Sequence, residues 1–145
     1  MIYFFYDIIL IGDSVKDRIY EGFNKDNGFI KNNGFKLIEL NEEEACVEYE
    51  IDNSGLNSIN IVHGGILFGL ADTTAGALAC MSGKFPITTN ASINYLNPAK
   101  KGKIIGIAKK LREGNLIGVY EVKIYDEDNT LLCISNIEMV YKNID

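Results

Sequence analysis

Gly64-Gly65-Ile66-Leu67-Phe68-Gly69-Leu70-Ala71-Asp72-Thr73-Thr74-Ala75-Gly76-Ala77-Leu78-Ala79-Cys80-Met81-Ser82-Gly83 is a nearly unbroken apolar run, and its reading decides the fold. Ile66, Leu67, Phe68, Leu70, Ala71, Ala75, Ala77, Leu78, Ala79, Cys80 and Met81 leave almost no polar face. A helix apolar all round is buried on all sides. A membrane span is the competing reading. Asp72, Thr73 and Thr74 stand at the centre of the run and glycines recur through it, so it reads as a soluble core helix. One helix buried on every side needs a sheet that curls around it.

Strands flank the run on both sides. Residues 35–40 and 45–51 read as a hairpin across a turn at 41–44. In the second of them Ala45, Val47, Tyr49 and Ile51 alternate with Cys46, Glu48 and Glu50, the pattern of a half-buried strand. A polar, asparagine-rich loop follows at 52–62. Downstream, residues 87–95, 103–112, 116–125 and 131–141 read as four more strands, joined by turns at 97–102, 113–115 and 126–129. Short links predict hairpins, and hairpins an antiparallel sheet. Ahead of all these, Val15, Ile19, Tyr20 and Phe23 recur at helical spacing within residues 14–27. Asp13 or Ser14 can cap that helix and Gly28 can end it. Residues 14–145 are thus predicted to form one α+β domain. Residues 1–11 are strongly apolar, but Asp7 interrupts them, and neither a basic segment nor a cleavage site accompanies them. Residues 1–13 therefore read as an N-terminal extension, either an extra element packed on the domain or a disordered segment.

Composition narrows the function classes. The chain has 145 residues, 47% hydrophobic, with 14 basic and 20 acidic residues for a net charge of −6. A nucleic-acid binder would normally carry the opposite balance. Cys46, Cys80 and Cys133 are odd in number, far apart and set in apolar stretches. They read as buried, reduced thiols, which fits a cytoplasmic protein. A single histidine, His63, excludes a His-rich zinc site, and no metal or cofactor is expected.

The chemistry lies in Asn57-Ser58-Ile59-Asn60-Ile61-Val62-His63-Gly64-Gly65-Ile66-Leu67-Phe68-Gly69-Leu70-Ala71-Asp72. Paired glycines stand where a polar loop enters the apolar helix. Without side chains there, a ligand can approach the first free N–H groups of the helix. Those groups carry the positive end of the helix dipole and suit a developing oxyanion. Asp72 lies about two turns further on, among core residues. A buried carboxylate must be paired, hydrogen-bonded or facing a wet pocket. His63 has no acid or nucleophile beside it in sequence, so it reads as structural before it reads as a general base.

Together these residues resemble the signature of the hotdog-fold acyl-CoA thioesterases, in the branch typified by the phenylacetate-degradation enzymes. The resemblance rests on Asn57, on His63-Gly64-Gly65 six residues later, and on Leu70-Ala71-Asp72, whose acid follows the histidine by nine. It continues into Ala91-Ser92-Ile93-Asn94-Tyr95-Leu96-Asn97-Pro98-Ala99 and covers residues 35–141. It implies a curved antiparallel sheet around the central helix, assembled as a homodimer or homotetramer. It also implies sites shared between chains and hydrolysis of an acyl-CoA thioester to the free acid and coenzyme A. In such a site the Gly64 N–H holds the thioester carbonyl oxygen, with His63 and Gly65 lining the same helix entrance. Asn57 positions the water or the thioester. Asp72 of the partner chain is general base or nucleophile. Thr88, ten residues before Pro98, orients the water, with Thr89 as the alternative.

Two positions depart from that pattern. Asn60 stands where glycine is common. Asparagine tolerates left-handed backbone, so the turn can survive the change. Asn115 follows Gly114 where relatives often place a basic residue toward the nucleotide of coenzyme A. Lys100, Lys101 and Lys103 can supply that charge, or they are a solvated turn. Phe68, Leu70, Tyr95 and the first helix are the expected acyl-pocket lining. A hotdog hydratase would pair its histidine with a carboxylate, which His63-Gly64-Gly65 does not suggest. The remaining alternative is a non-catalytic acyl-CoA binding or sensing module, which would not need Asp72.

Overall fold

The computed structural model describes residues 14–25 and 28–143. The expectations placed on residues 1–13 lie outside the described residues. Helix α1 (Val15–Lys25) begins with a cap. The Ser14 hydroxyl accepts from the Asp17 N–H at 3.2 Å and donates to its carboxylate at 2.7 Å. α1 buries Ile19 and rests Val15, Tyr20 and Phe23 on the core. Gly28 stands at the head of a one-turn helix, α2 (Phe29–Asn32), rather than simply ending α1. Four residues are too few to show a helical period, so the sequence pattern does not reveal α2.

Strands β1 (Lys36–Leu40) and β2 (Glu44–Glu50) form the expected hairpin. The Asn41 side-chain oxygen accepts from the N–H groups of Glu43 and Glu44, both at 2.9 Å, which closes the turn. Helix α3 (Gly64–Cys80) stops three residues before its expected end, and residues 81–83 turn the chain with Gly83 at φ 73°. Twelve of its 17 residues are buried, so the run is sunk in the core as its pattern requires. Thr74 is wholly buried within it and satisfies its hydroxyl by donating to the Leu70 carbonyl at 2.6 Å. Among the described residues no helix is long and apolar enough to cross a membrane.

Strands β3 (Phe85–Tyr95), β4 (Lys103–Glu113), β5 (Ile117–Asp126) and β6 (Leu131–Lys142) complete one six-stranded sheet. Its order is β1-β2-β4-β5-β6-β3, and every neighbouring pair is antiparallel. α3 packs against all six strands, so the sheet curls around the helix as predicted.

One expected hairpin does not form. β3 pairs with β6 at one edge of the sheet, and β4 pairs with β2. Residues 96–102 are therefore a crossing, not a hairpin turn. Leu96 and Asn97 donate to the Leu132 carbonyl at 2.8 and 3.1 Å. Further on, the carbonyls of Ala99 and Gly102 accept from the N–H groups of Val62, at 2.8 Å, and Ile51, at 2.9 Å. Pro86 is tolerated within β3 because an edge strand can spare a donor.

The three cysteines are free and buried. Burial pushes the Cys46 thiol up to about 12, with the Glu44 and Glu39 charges adding to it; burial alone takes Cys133 to about 12 and raises Cys80 as well. The thiolate is the reactive form, so native protein at pH 8 should react with a disulfide reagent such as DTNB far more slowly than free cysteine does. Denaturant should release all three thiols. Rapid labelling of the native protein would show that these sites open readily.

Candidate active site

The loop from β2 to α3 is held by its own side chains. The Asp52 carboxylate accepts from the Ser54 and Gly55 N–H groups at 2.8 and 3.3 Å and from the Ser54 hydroxyl. The Ser54 hydrogen bonds hold its acid below the usual carboxylate range. Next, Asn60 turns the chain at φ 58°, the left-handed conformation that asparagine tolerates. The Asn57 side-chain oxygen accepts from the Ile59 and Ile61 N–H groups at 3.1 and 3.2 Å. That oxygen is spent on the loop, which leaves the NH2 of Asn57 to donate outward.

His63 is the N-cap of α3. Its Nδ1 accepts from the Gly65 N–H at 2.8 Å, and its own N–H donates to the Gly55 carbonyl at 2.8 Å. An accepting Nδ1 puts the proton of the neutral ring on Nε2. A Cβ on Gly65 would stand 3.0 Å from Nδ1, so the ring caps comfortably only above a glycine. The two glycines thus differ. The Gly65 N–H is consumed by the cap, whereas the Gly64 N–H donates to none of the described residues. Gly64 lines a cleft of about 490 Å³ with Asn57, Ile61, Val62, Leu67, Tyr95 and residues 96–98.

This lining differs from that expected of the acyl pocket. Leu70 is wholly buried in the core, and neither Phe68 nor α1 borders the cleft. Leu67, three residues from Gly64, takes the helix position instead. Tyr95 is present as expected, and the crossing supplies part of the wall at residues 96–98. That wall could not be foreseen while those residues were read as a hairpin turn.

Asp72 is half-buried on α3, and the Thr88 hydroxyl donates to its Oδ1 at 2.7 Å. Thr89 points elsewhere, bonding to Glu138 at 3.3 Å. A bulge separates the two threonines, with Thr88 opposite Met139 and Asn90 opposite Glu138. The structure therefore brings Thr88, not Thr89, to the acid. Gly64 and Asp72 share one helix, eight residues apart, a rise of about 12 Å. A single thioester carbon cannot lie against both in one chain.

Lys100 and Lys101 are exposed just beyond Pro98 of the cleft wall, while Lys103 is engaged with Glu48 at 3.2 Å. Lys84 donates to the Asn115 carbonyl at 3.0 Å, so a cation from another element reaches the hairpin tip that lacks one in sequence. Only the fold joins these two positions. Among the described residues Glu39, Glu44 and Cys46 are close enough to share a metal, but Lys109 lies 3.5 Å from Glu44 and the Cys46 thiol is held protonated. They lie on the β1–β2 hairpin and take no part in the cleft.

Comparisons with known proteins agree with this fold. Residues 59–133 match the description of the thioesterase superfamily. A putative esterase of Archaeoglobus fulgidus is 29% identical over 124 residues, 85% of this chain and 78% of that protein. The acyl-coenzyme A thioesterase PaaI of Escherichia coli is 31% identical over 103 residues, 70% of this chain and 73% of that one. The solved structure of PaaI superposes with a TM-score of 0.84 at 22% identity, covering 89% of this chain and 94% of the other. A hypothetical thioesterase of Streptococcus pneumoniae, solved with coenzyme A, gives a TM-score of 0.72 at 24% identity, covering 75% and 86%. These likenesses establish the hotdog fold for this chain.

Proposed function

The chain belongs to the thioesterase superfamily and is a thioester hydrolase, and we propose the following division of labour for its cleavage of an acyl-CoA to the free acid and coenzyme A. The thioester carbonyl oxygen docks on the Gly64 N–H at the start of α3. As water adds to the carbonyl carbon, negative charge develops on that oxygen, where the N–H and the helix dipole stabilise it. Asn57 donates through its NH2 to the carbonyl or the water, since its own oxygen is occupied by the loop. Asp72 of the partner subunit takes the proton of the attacking water, or attacks the carbon itself. Thr88 holds one oxygen of that carboxylate, and none of the described residues hydrogen-bonds the other. Lys100 and Lys101 meet the phosphates of coenzyme A.

The observation that carries this reading is that Gly64 lines the cleft with an N–H that donates to none of the described residues, beside a Gly65 N–H already capped by His63. The 12 Å rise between Gly64 and Asp72 supports a shared site, because the acid must then come from a second copy of the chain. The edge position of β3 supports it too, since an edge strand offers unpaired backbone to another chain. The PaaI relative is named an acyl-coenzyme A thioesterase and the Streptococcus pneumoniae structure holds coenzyme A, which supports the substrate class.

A panel of short, medium, long and aryl acyl-CoAs, followed by thiol release, tests the reading. At least one ester should give free coenzyme A in step with free acid, with saturation kinetics. Tight acyl-CoA binding without thiol release from any ester would favour a sensing module instead.

A further inference from the structure

From the contacts of Tyr95 we infer that it is a positioning residue, clamping the Gly64–Gly65 peptide so that the Gly64 N–H is held toward the thioester; this rests on the oxyanion role proposed for that N–H. The Tyr95 hydroxyl donates to the Gly64 carbonyl at 3.0 Å. The N–H of the same peptide unit donates to His63 Nδ1 at 2.8 Å. Two side chains from different elements therefore grip one peptide from its two ends. The chain there needs such a grip. Two glycines at a helix start have the widest backbone freedom of any residues, and the first turn has the fewest internal hydrogen bonds. Left to itself this turn would fray, and an oxyanion donor that wanders is of little use, since misplacement by about 1 Å can cost 100-fold.

The β3 strand is built to make this contact. Thr88 and Tyr95 are seven residues apart, which in a regular strand would put them on opposite faces. The bulge at Thr89 adds one residue to β3 against β6 and restores them to the same face. Burial follows that switch: Pro86 and Thr88 turn inward before the bulge, and Ala91 and Ile93 turn inward after it. Tyr95 continues the second series. One strand thus reaches α3 twice, at Asp72 through Thr88 and at Gly64 through Tyr95. The Tyr95 ring also flanks Gly64 closely, since a Cβ on that glycine would lie 3.2 Å from it. Burial raises the Tyr95 hydroxyl above its ordinary pKa, so it remains a donor at neutral pH.

Tyr95→Phe removes the hydroxyl and keeps the ring. It should lower kcat about tenfold with KM within about twofold, because the lost contact tunes the reacting geometry rather than substrate affinity. Circular dichroism melting should change little, since the ring is half exposed. The same substitution is then made in a Gly64→Val background. Tyr95 acts through the Gly64 N–H, so it should have little further effect there. A native kcat in folded Tyr95→Phe overturns the clamp, and so does an equal loss in both backgrounds. If Gly64→Val alone retains native turnover, it is the oxyanion reading that fails.

Discussion

Asp72→Asn should lower turnover by about 100-fold or more, the usual scale for loss of a general base, while the protein remains folded. The asparagine keeps the shape of the side chain and can still accept from Thr88 through its oxygen. An amide costs less to bury than a charge, so the melting temperature should hold or rise at this half-buried position. Affinity for coenzyme A should change little, because the proposed phosphate contacts at Lys100 and Lys101 are on a different element. A purely structural acid would behave in the opposite way, with loss of stability and no specific loss of catalysis. Turnover, coenzyme A affinity and melting temperature on this one variant separate the two. A stable variant with near-native turnover would end the catalytic role of Asp72.

Gly64→Val should cost about 100- to 1000-fold in turnover, the range typical for one oxyanion donor. Gly64 is not among the glycines with positive φ, so valine meets no backbone strain there. Its Cβ would crowd the exposed Tyr95 ring at 3.2 Å and shield the N–H from the incoming carbonyl. The fold should persist, as a melting curve would show. The two variants together test whether the site is shared. In a mixed dimer of Gly64→Val and Asp72→Asn chains, one site would carry both defects and the other neither. Unfolding and refolding an equal mixture should then restore about one quarter of native turnover, from random pairing into closed dimers. No gain over the separate variants would mean that Gly64 and Asp72 act within one chain or not at all.

The sequence exposed most of the architecture because most of it is local. The apolar run of α3 has no face to show to water, and the alternation in β2 marks which residues turn inward. Asn60 could be read as a left-handed turn because a single residue type sets that preference. The strand order was harder. A proline-containing link of a few residues between two strands fits a tight hairpin as well as a crossing, and only the docking of β3 on β6 decides between them. The site divides the same way. Asn57, His63, Gly64 and Gly65 are neighbours in the chain, so their gathering at the start of α3 was visible. The choice of Thr88 over Thr89 depended on a bulge, and bulges leave no reliable mark in a single sequence. The contact of Tyr95 with Gly64 spans 31 residues and depends on both the bulge and the strand order.

The crossing at residues 96–102 also bears on the order in which the chain assembles. β4, β5 and β6 are joined by short turns and can zip together by closing small loops. β3 precedes them in sequence, yet each of its residues waits for a partner roughly 40 to 60 positions further along, a far larger entropic cost of closure. Because of that cost it should dock late, onto a meander already formed, which pulse-labelling hydrogen exchange would show as late protection of the β3 amides. The strand that arrives late is the one carrying Thr88 and Tyr95. On the division of labour proposed above, catalytic competence would then be a late acquisition of the folding chain, and species collapsed around α3 without β3 should be compact but inert.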